Sequence, residues 1–115
     1  MVFFDMPYEV ILLDSAKDFL LTLGEKLQAK AFRAIDLLGY FGPQLRMPHS
    51  RKLGENNLWE LRVQQAGMIC RLFYFHDRGT IYVVTSGYVK KTEKTSPDEI
   101  RKALRLKGDY VEGTI

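Results

Sequence analysis

A chain of 115 residues that is 46% hydrophobic holds enough apolar material for one buried core and too little for two, which excludes a disordered chain and argues for a single domain over residues 1–115. Its formal charge of +3 hides an asymmetry, because residues 46–94 carry nine Lys and Arg against four Asp and Glu, a local net of +5, while the remainder carries −2. No apolar run nears the ~18 residues of a membrane span, and Met1 to Met6 has neither the basic start nor the apolar stretch of a secretory leader, so a cytoplasmic setting is expected.

Tyr8 to Leu13 (YEVILL) is rich in strand formers and predicts a first strand that hands over at Asp14-Ser15 to a helix. Ser15 followed by Asp18 resembles a capping box, with Asp in the Glu/Gln position. Ala16, Phe19, Leu20 and Leu23 follow at helical spacing. Gly24 breaks the pattern, and Leu27, Ala31, Ala34, Ile35 and Leu38 then mark a second helix, giving a helical hairpin with a shared apolar face. Gly39 to Ser50, with Gly42, Pro43 and Pro48, reads as irregular chain that delivers His49, Arg51 and Lys52 to the mouth of a sheet.

Three strands follow, at 57–64, 68–76 and 80–89, joined by turns at Gln65-Ala66-Gly67 and Asp77-Arg78-Gly79, and they predict an antiparallel meander. A last helix begins at Thr95-Ser96-Pro97, where a hydroxyl cap, Pro at the first helical position and the acids Asp98 and Glu99 all suit exposed N–H groups. Gly108 is expected to close it. The order β-α-α-β-β-β-α implies an α+β fold: a twisted antiparallel sheet with the helical hairpin on one face, a C-terminal helix, and the other face free to bind.

Alternation puts Trp59, Leu61 and Val63 on the core face of their strand, and Leu58, Glu60, Arg62 and Gln64 on the opposite one. In the next strand Arg71 shares a face with Ile69, Phe73 and Phe75. Desolvating a guanidinium is costly unless it is paired or waiting for an anion. Two readings stand side by side: a cross-strand salt bridge from Glu60 to Arg71 or Arg62, or an open face where arginines bind phosphate and aromatic rings stack on bases. The lone Cys70, among Ile69, Leu72 and Phe73, is expected to pack in the core of a protein from a reducing compartment.

Neither His49 nor His76 belongs to a cluster with metal-ligand spacing, His76 reads as a solvated turn residue, and neither Ser50 nor Ser86 supports a Ser-His-Asp triad. Lys, Arg, Tyr and His suit one reaction that needs no metal or cofactor, RNA cleavage by attack of the ribose 2′-OH on the adjacent phosphorus. That step requires a base, an acid, and cations against the charge building on the phosphoryl oxygens.

Pro48-His49-Ser50-Arg51-Lys52-Leu53, Leu58-Trp59-Glu60-Leu61-Arg62, Cys70-Arg71-Leu72-Phe73-Tyr74-Phe75 and Gly87-Tyr88-Val89-Lys90-Lys91-Thr92, running into Lys94-Thr95-Ser96-Pro97 and Glu99-Ile100, together resemble the RelE/ParE superfamily of toxins from bacterial toxin–antitoxin pairs, in its HigB-like, phage-associated branch. The likeness spans about residues 8–108 with these motifs in order. It implies a translation-blocking endoribonuclease that cuts mRNA in the ribosome and is restrained by a helix-turn-helix antitoxin. Carried over, Arg62 and Arg71 resemble the strand cations that neutralise the scissile phosphate, and Lys90 and Lys91 the strand-end pair that supplies a base or acid. Arg51 and Lys52 resemble loop cations that grip RNA and Tyr88 a base-stacking ring; His49 is expected beside them in RNA binding, and His49 or His76 is open as an alternative proton carrier. Two other readings remain open at this point: a non-enzymatic gyrase inhibitor in the ParE manner, and an RNA-binding module without chemistry.

Overall fold

The computed structural model describes residues 6–115; residues 1–5, on which most of the leader reading rests, lie outside the described residues. The elements are β1 (Glu9–Leu12), α1 (Asp14–Leu21), α2 (Glu25–Phe41), a short 3-10 turn at Gly42–Gln44, β2 (Ser50–Lys52), β3 (Trp59–Gln65), β4 (Met68–Arg78), β5 (Ile81–Lys90) and α3 (Pro97–Val111). Among the described residues no helix is long and apolar enough to cross a membrane.

The three alternating runs pair as the expected meander: β3 runs antiparallel to β4, from Trp59 opposite Tyr74 to Gln65 opposite Met68, and β4 antiparallel to β5. The full sheet has five strands in the order β1-β5-β4-β3-β2. Two features depart from expectation. β1 lies parallel to β5, Glu9 beside Ile81 and Leu12 beside Val84, so the sheet is mixed and not wholly antiparallel. A hairpin turn dictates an antiparallel partner, but β1 and β5 are joined through everything between them, and nothing local fixes their relative direction. No strand is expected at β2, of which only Ser50 falls in the stretch read as irregular; its three residues pair with Leu61, Glu60 and Trp59 at the sheet edge.

α1 and α2 cover one face. Ala16, Leu20, Ala31, Ala34, Ile35 and Leu38 from the helices pack on Leu61, Val63, Cys70, Leu72, Tyr74, Tyr82 and Val84 from the strands. Each large aliphatic or aromatic side chain so buried contributes roughly 1.5–3 kcal/mol. α1 lies tightly on β5 because position 87 is Gly: a Cβ there would come within 2.6 Å of the Phe19 ring and 2.8 Å of the Arg71 carbonyl oxygen.

The helix ends were misjudged in three places. α1 starts one residue before Ser15, with Leu13 as a cap that makes no side-chain hydrogen bond, so the expected capping box does not form; the Leu13 N–H instead continues the β1 ladder to the Val84 carbonyl at 2.9 Å. α2 runs through Gly39, whose carbonyl accepts the Tyr8 N–H at 3.1 Å, and stops at Gly42, where φ is +50° and the Tyr8 ring would meet any Cβ at 2.6 Å. α3 passes Gly108 and ends at Val111, while its N-cap is as read: Ser96 Oγ accepts the Glu99 N–H at 3.4 Å, with Pro97 at the first helical position.

The second face of the sheet is not free. α3 lays Ile100, Ala103 and Leu104 against Leu58, Phe73 and Tyr88 in a smaller core of its own, since an amphipathic helix must bury its apolar stripe somewhere. What α3 leaves of this face is charged.

Candidate functional site

Alternation and register together create the charged region. Arg62 on β3 stands opposite Arg71 on β4, which stands opposite Tyr88 on β5. One step along, Arg51 on β2 stands opposite Glu60 on β3, which stands opposite Phe73. Three guanidiniums thus surround one carboxylate. Glu60 is fully buried and lies 3.0 Å from Arg51 Nη2, 3.6 Å from Arg62 Nε and 3.6 Å from Arg71 Nε. A lone carboxylate in such a place is tolerable only because the arginines repay its lost hydration.

A strap following β5 closes over the cluster. Arg71 Nη2 donates to the backbone carbonyls of Thr92 and Glu93, and Arg62 Nη2 lies 2.7 Å from the Glu93 carboxylate. Thr95 Oγ donates to Glu60 Oε1 at 2.6 Å and accepts from Arg51 Nη2 at 2.9 Å. Tyr88 completes the cover. Its ring stacks on Phe73 with centroids 5.9 Å apart, sits 5.5 Å from the Arg71 guanidinium carbon, and its hydroxyl accepts the Ser96 N–H at 2.7 Å. Even so, four buried donors, Arg51 Nε, Arg62 Nε, Arg71 Nε and Arg71 Nη1, and one buried acceptor, Glu60 Oε2, make no hydrogen bond among the described residues. Unpartnered donors therefore outnumber the single unpartnered acceptor. Counting Glu60 and Glu93 against three arginines leaves it a net +1.

The residues singled out from sequence divide accordingly. Arg51, Arg62 and Arg71 converge. Arg71 is wholly inaccessible instead of lying on an open face, because α3 and the strap cover the aromatic row it belongs to. Tyr88, read as a base-stacking ring, is 9% exposed, with its ring engaged by Phe73 and Arg71 and its hydroxyl by Ser96. Lys52 points the other way: it pairs with Trp59, on the helix-covered face, and holds its Nζ 5.9 Å from that ring. Lys90, opposite Ile69, shares the face of Arg71 and Tyr88, and both Lys90 and Lys91 are exposed. His49 is exposed, and its carbonyl accepts the Arg62 N–H at 2.9 Å. His76 is on the helix-covered face near the far end of β4, its Nε2 2.7 Å from the Gly79 carbonyl oxygen, and does not join the cluster.

Of the two sequence readings of the arginines, the cross-strand salt bridge is seen, since Glu60 pairs with Arg71 and with Arg62; the open face is not, since Arg71 is fully buried. The residues that sequence reasoning missed are Glu93 and Thr95. They sit in a segment with no periodic pattern; the only signal was an acid amid the Lys90-Lys91 and Lys94 cations. Cys70 packs as expected. It is buried, and burial pushes its thiol up to about 12, against the opposing pull of the adjacent Arg71. Burial also pushes the Tyr74 hydroxyl up to about 12, opposed by its 2.5 Å hydrogen bond with Ser50 Oγ.

Residues 18–107 match the family described as Phage derived protein Gp49-like (DUF891). No curated protein sequence matches. Among solved structures, an E. coli toxin RelE mutant in the free state superposes with a TM-score of 0.64 at 17% identity, over 87% of this chain and 97% of that one. The archaeal RelE-RelB complex from Pyrococcus horikoshii gives 0.58 at 18% identity, over 77% and 100% of the two chains. The toxin-antitoxin complex RelBE2 from Mycobacterium tuberculosis gives 0.50 at 20% identity, over 73% and 99%. The fold is thus the RelE fold.

Proposed function

This chain belongs to the phage-derived Gp49-like family, and on that premise we propose that it is the toxin of a toxin–antitoxin pair, an endoribonuclease that cleaves mRNA, in association with the ribosome, and so blocks translation. The observation that carries the reading is the donor-rich cluster: Arg62 and Arg71 opposite one another, anchored by a buried Glu60, with donors that nothing among the described residues satisfies. A phosphate supplies what such a cluster lacks, namely negative charge and several acceptor oxygens in fork geometry.

In this reading the strap lifts, and phosphate oxygens replace the Glu93 carboxylate on Arg62 and the Thr92 and Glu93 carbonyls on Arg71. RNA supplies the nucleophile through its own 2′-OH. Arg62 and Arg71 stabilise the charge that grows on the phosphoryl oxygens, where fixed donors contribute most. Lys90, the last residue of β5, and Lys91 after it, both exposed, are assigned the proton transfers in this reading, with His49 as the alternative. Arg51 acts as a positioning residue through Glu60 and Thr95, and Tyr88 orients Arg71 in place of stacking on a base. A small helix-turn-helix antitoxin is the proposed partner; two of the structures that share the fold are themselves toxin–antitoxin complexes.

Purified protein added to a cell-free translation reaction should stop synthesis and leave mRNA cut, with ends mapped by primer extension. Arg62→Ala should lower cleavage by about 100-fold or more. Arg62→Lys, which keeps the charge and loses the fork, should fall between the two and confirm that folding is not the cause. Stalled translation with intact mRNA would overturn the ribonuclease reading.

A further inference from the structure

We propose that the groove between α2 and β3 is a second RNA-binding site, one that holds a nucleotide next to the scissile phosphate; this rests on the ribonuclease reading above. The groove has a volume of about 660 Å³, within the range of sites that enclose a small ligand. It exists because the edge strand is short. The β2 ladder begins at Ser50 opposite Leu61, and the Arg62 N–H is taken by the His49 carbonyl, so beyond Arg62 the edge of β3 is bordered by a helix instead of a strand.

The lining is apolar below and cationic above. Leu37 and Val63 form part of the floor, while Lys30, Arg33 and Arg62 line the rim, and the lining contains no Asp or Glu. Lys30 and Arg33, three residues apart on one face of α2, are exposed, and neither forms an ion pair among the described residues. Both line the groove, so an anion entering it meets cations and no carboxylate of the lining. The occupant must be anionic at its edges and flat or apolar in its middle.

A single-stranded nucleotide has that chemistry. Its base can lie on the floor beside the His49 ring, a surface on which unpaired bases stack. By strand alternation Gln64 turns its backbone polar groups to the same side as those of Arg62; its carbonyl oxygen is 3.5 Å from Lys30 Nζ and lies where a base edge could be read. Lys30 and Arg33 would hold the flanking phosphates. Arg62 belongs both to this groove and to the buried cluster, so one strand can place a phosphate on the cluster and the neighbouring nucleotide in the groove. The exposed edge of β3 beyond Arg62 is too short for a peptide strand to pair along it, which favours RNA over a peptide.

The test uses a short single-stranded RNA whose 2′-hydroxyls are replaced by hydrogen, so that it binds without being cut. Its affinity is measured by fluorescence anisotropy across a salt series. The double variant K30A/R33A should bind about 10-fold more weakly, and its slope of log affinity on log salt should be shallower by about 1.4, two phosphate contacts on a single strand. Unchanged melting temperature checks its fold, and photocrosslinking of 4-thiouridine in the wild-type complex should mark residues 48–49. Equal affinity and equal slope for variant and wild type would overturn the groove and leave the ribonuclease reading intact. Weakened binding by the variant with no cleavage of normal RNA by the wild type would uphold the groove and sink the ribonuclease reading. Loss of antitoxin binding with RNA affinity unaltered would overturn the proposal in favour of a peptide occupant.

Discussion

On β4, Cys70, Leu72 and Tyr74 turn towards the helices and meet other apolar side chains, whereas Arg71, between Cys70 and Leu72, meets Glu60, Tyr88 and the carbonyls of Thr92 and Glu93. Both sides of the strand are buried. The helix face gains free energy from every carbon removed from water, and its parts can be exchanged for others of similar shape at modest cost. The charged face gains little in net terms from burying ions, and its parts depend on one another, because removing one partner strands the rest. The arginine cluster is thus the less exchangeable of the two faces, with a net charge of +1 and buried donors left unpartnered among the described residues.

The comparison breaks most visibly at Glu60. Replacing it with Ala leaves three arginines facing one another in a space already short of acceptors, and should cost about 3–5 kcal/mol in urea unfolding. Leu72→Ala, on the opposite face of the adjoining strand, removes apolar volume only and should cost about 2–5 kcal/mol. The two differ in response to anions: 100 mM phosphate or sulfate should restore part of the loss in Glu60→Ala by supplying the missing charge, and none of it in Leu72→Ala. Equal responses would mean that the cluster has no particular affinity for anions.

The helix face has a smaller, pH-dependent signature. Cys70 and Tyr74 each titrate near 12 in the folded protein, above the unfolded values of about 8.5 and 10. A raised folded pKa means that the unfolded chain gives up its proton first, so this stability is complete below the unfolded value and is lost as pH rises towards the folded one. Stability should fall above about pH 9, with Cys70 contributing a slope approaching 1.4 kcal/mol per pH unit. Cys70→Val should flatten the decline between pH 9 and 10, and native Cys70 should resist alkylation that the unfolded protein undergoes readily.

The two faces were also unequally legible in the sequence. Helical spacing from Ala16 to Leu38 and strand alternation in β3 announced the helix face, since burial on one side imposes a period that sequence displays directly. The pairing of Glu60 with Arg71 and Arg62 could be framed as an alternative because register makes them neighbours. Placement of the strap could not. Thr92, Glu93 and Thr95 reach the arginines through backbone carbonyls and single side chains, contacts that need no periodic pattern. Arg71 and Tyr88 were accordingly assigned to an open face, and the parallel β1 went unread because its partner lies seventy residues or so away along the chain.

Glu93 gives the smallest effect on stability and the finest probe of the cluster. Its side chain is 78% exposed although it pairs with an Arg62 side chain only 8% exposed. An ion pair so open to water contributes little, and Glu93→Ala should change unfolding free energy by no more than about 0.5 kcal/mol. RNA binding should move in the opposite direction and by more. If the Glu93 carboxylate holds the place of a substrate phosphate, the free protein is mostly in a closed form, and its apparent affinity is reduced by the fraction that is open. Removing the carboxylate raises that fraction and adds one unit to the net positive charge, so cleavage-resistant RNA should bind roughly 3- to 10-fold more tightly, with the largest gain at low salt, where charge is least screened. Glu93→Gln separates the two causes: it deletes the charge yet can still accept a hydrogen bond from Arg62, and it should fall between wild type and Glu93→Ala. Unchanged or weakened binding in Glu93→Ala would mean that the strap supports the arginines for RNA and does not compete with it.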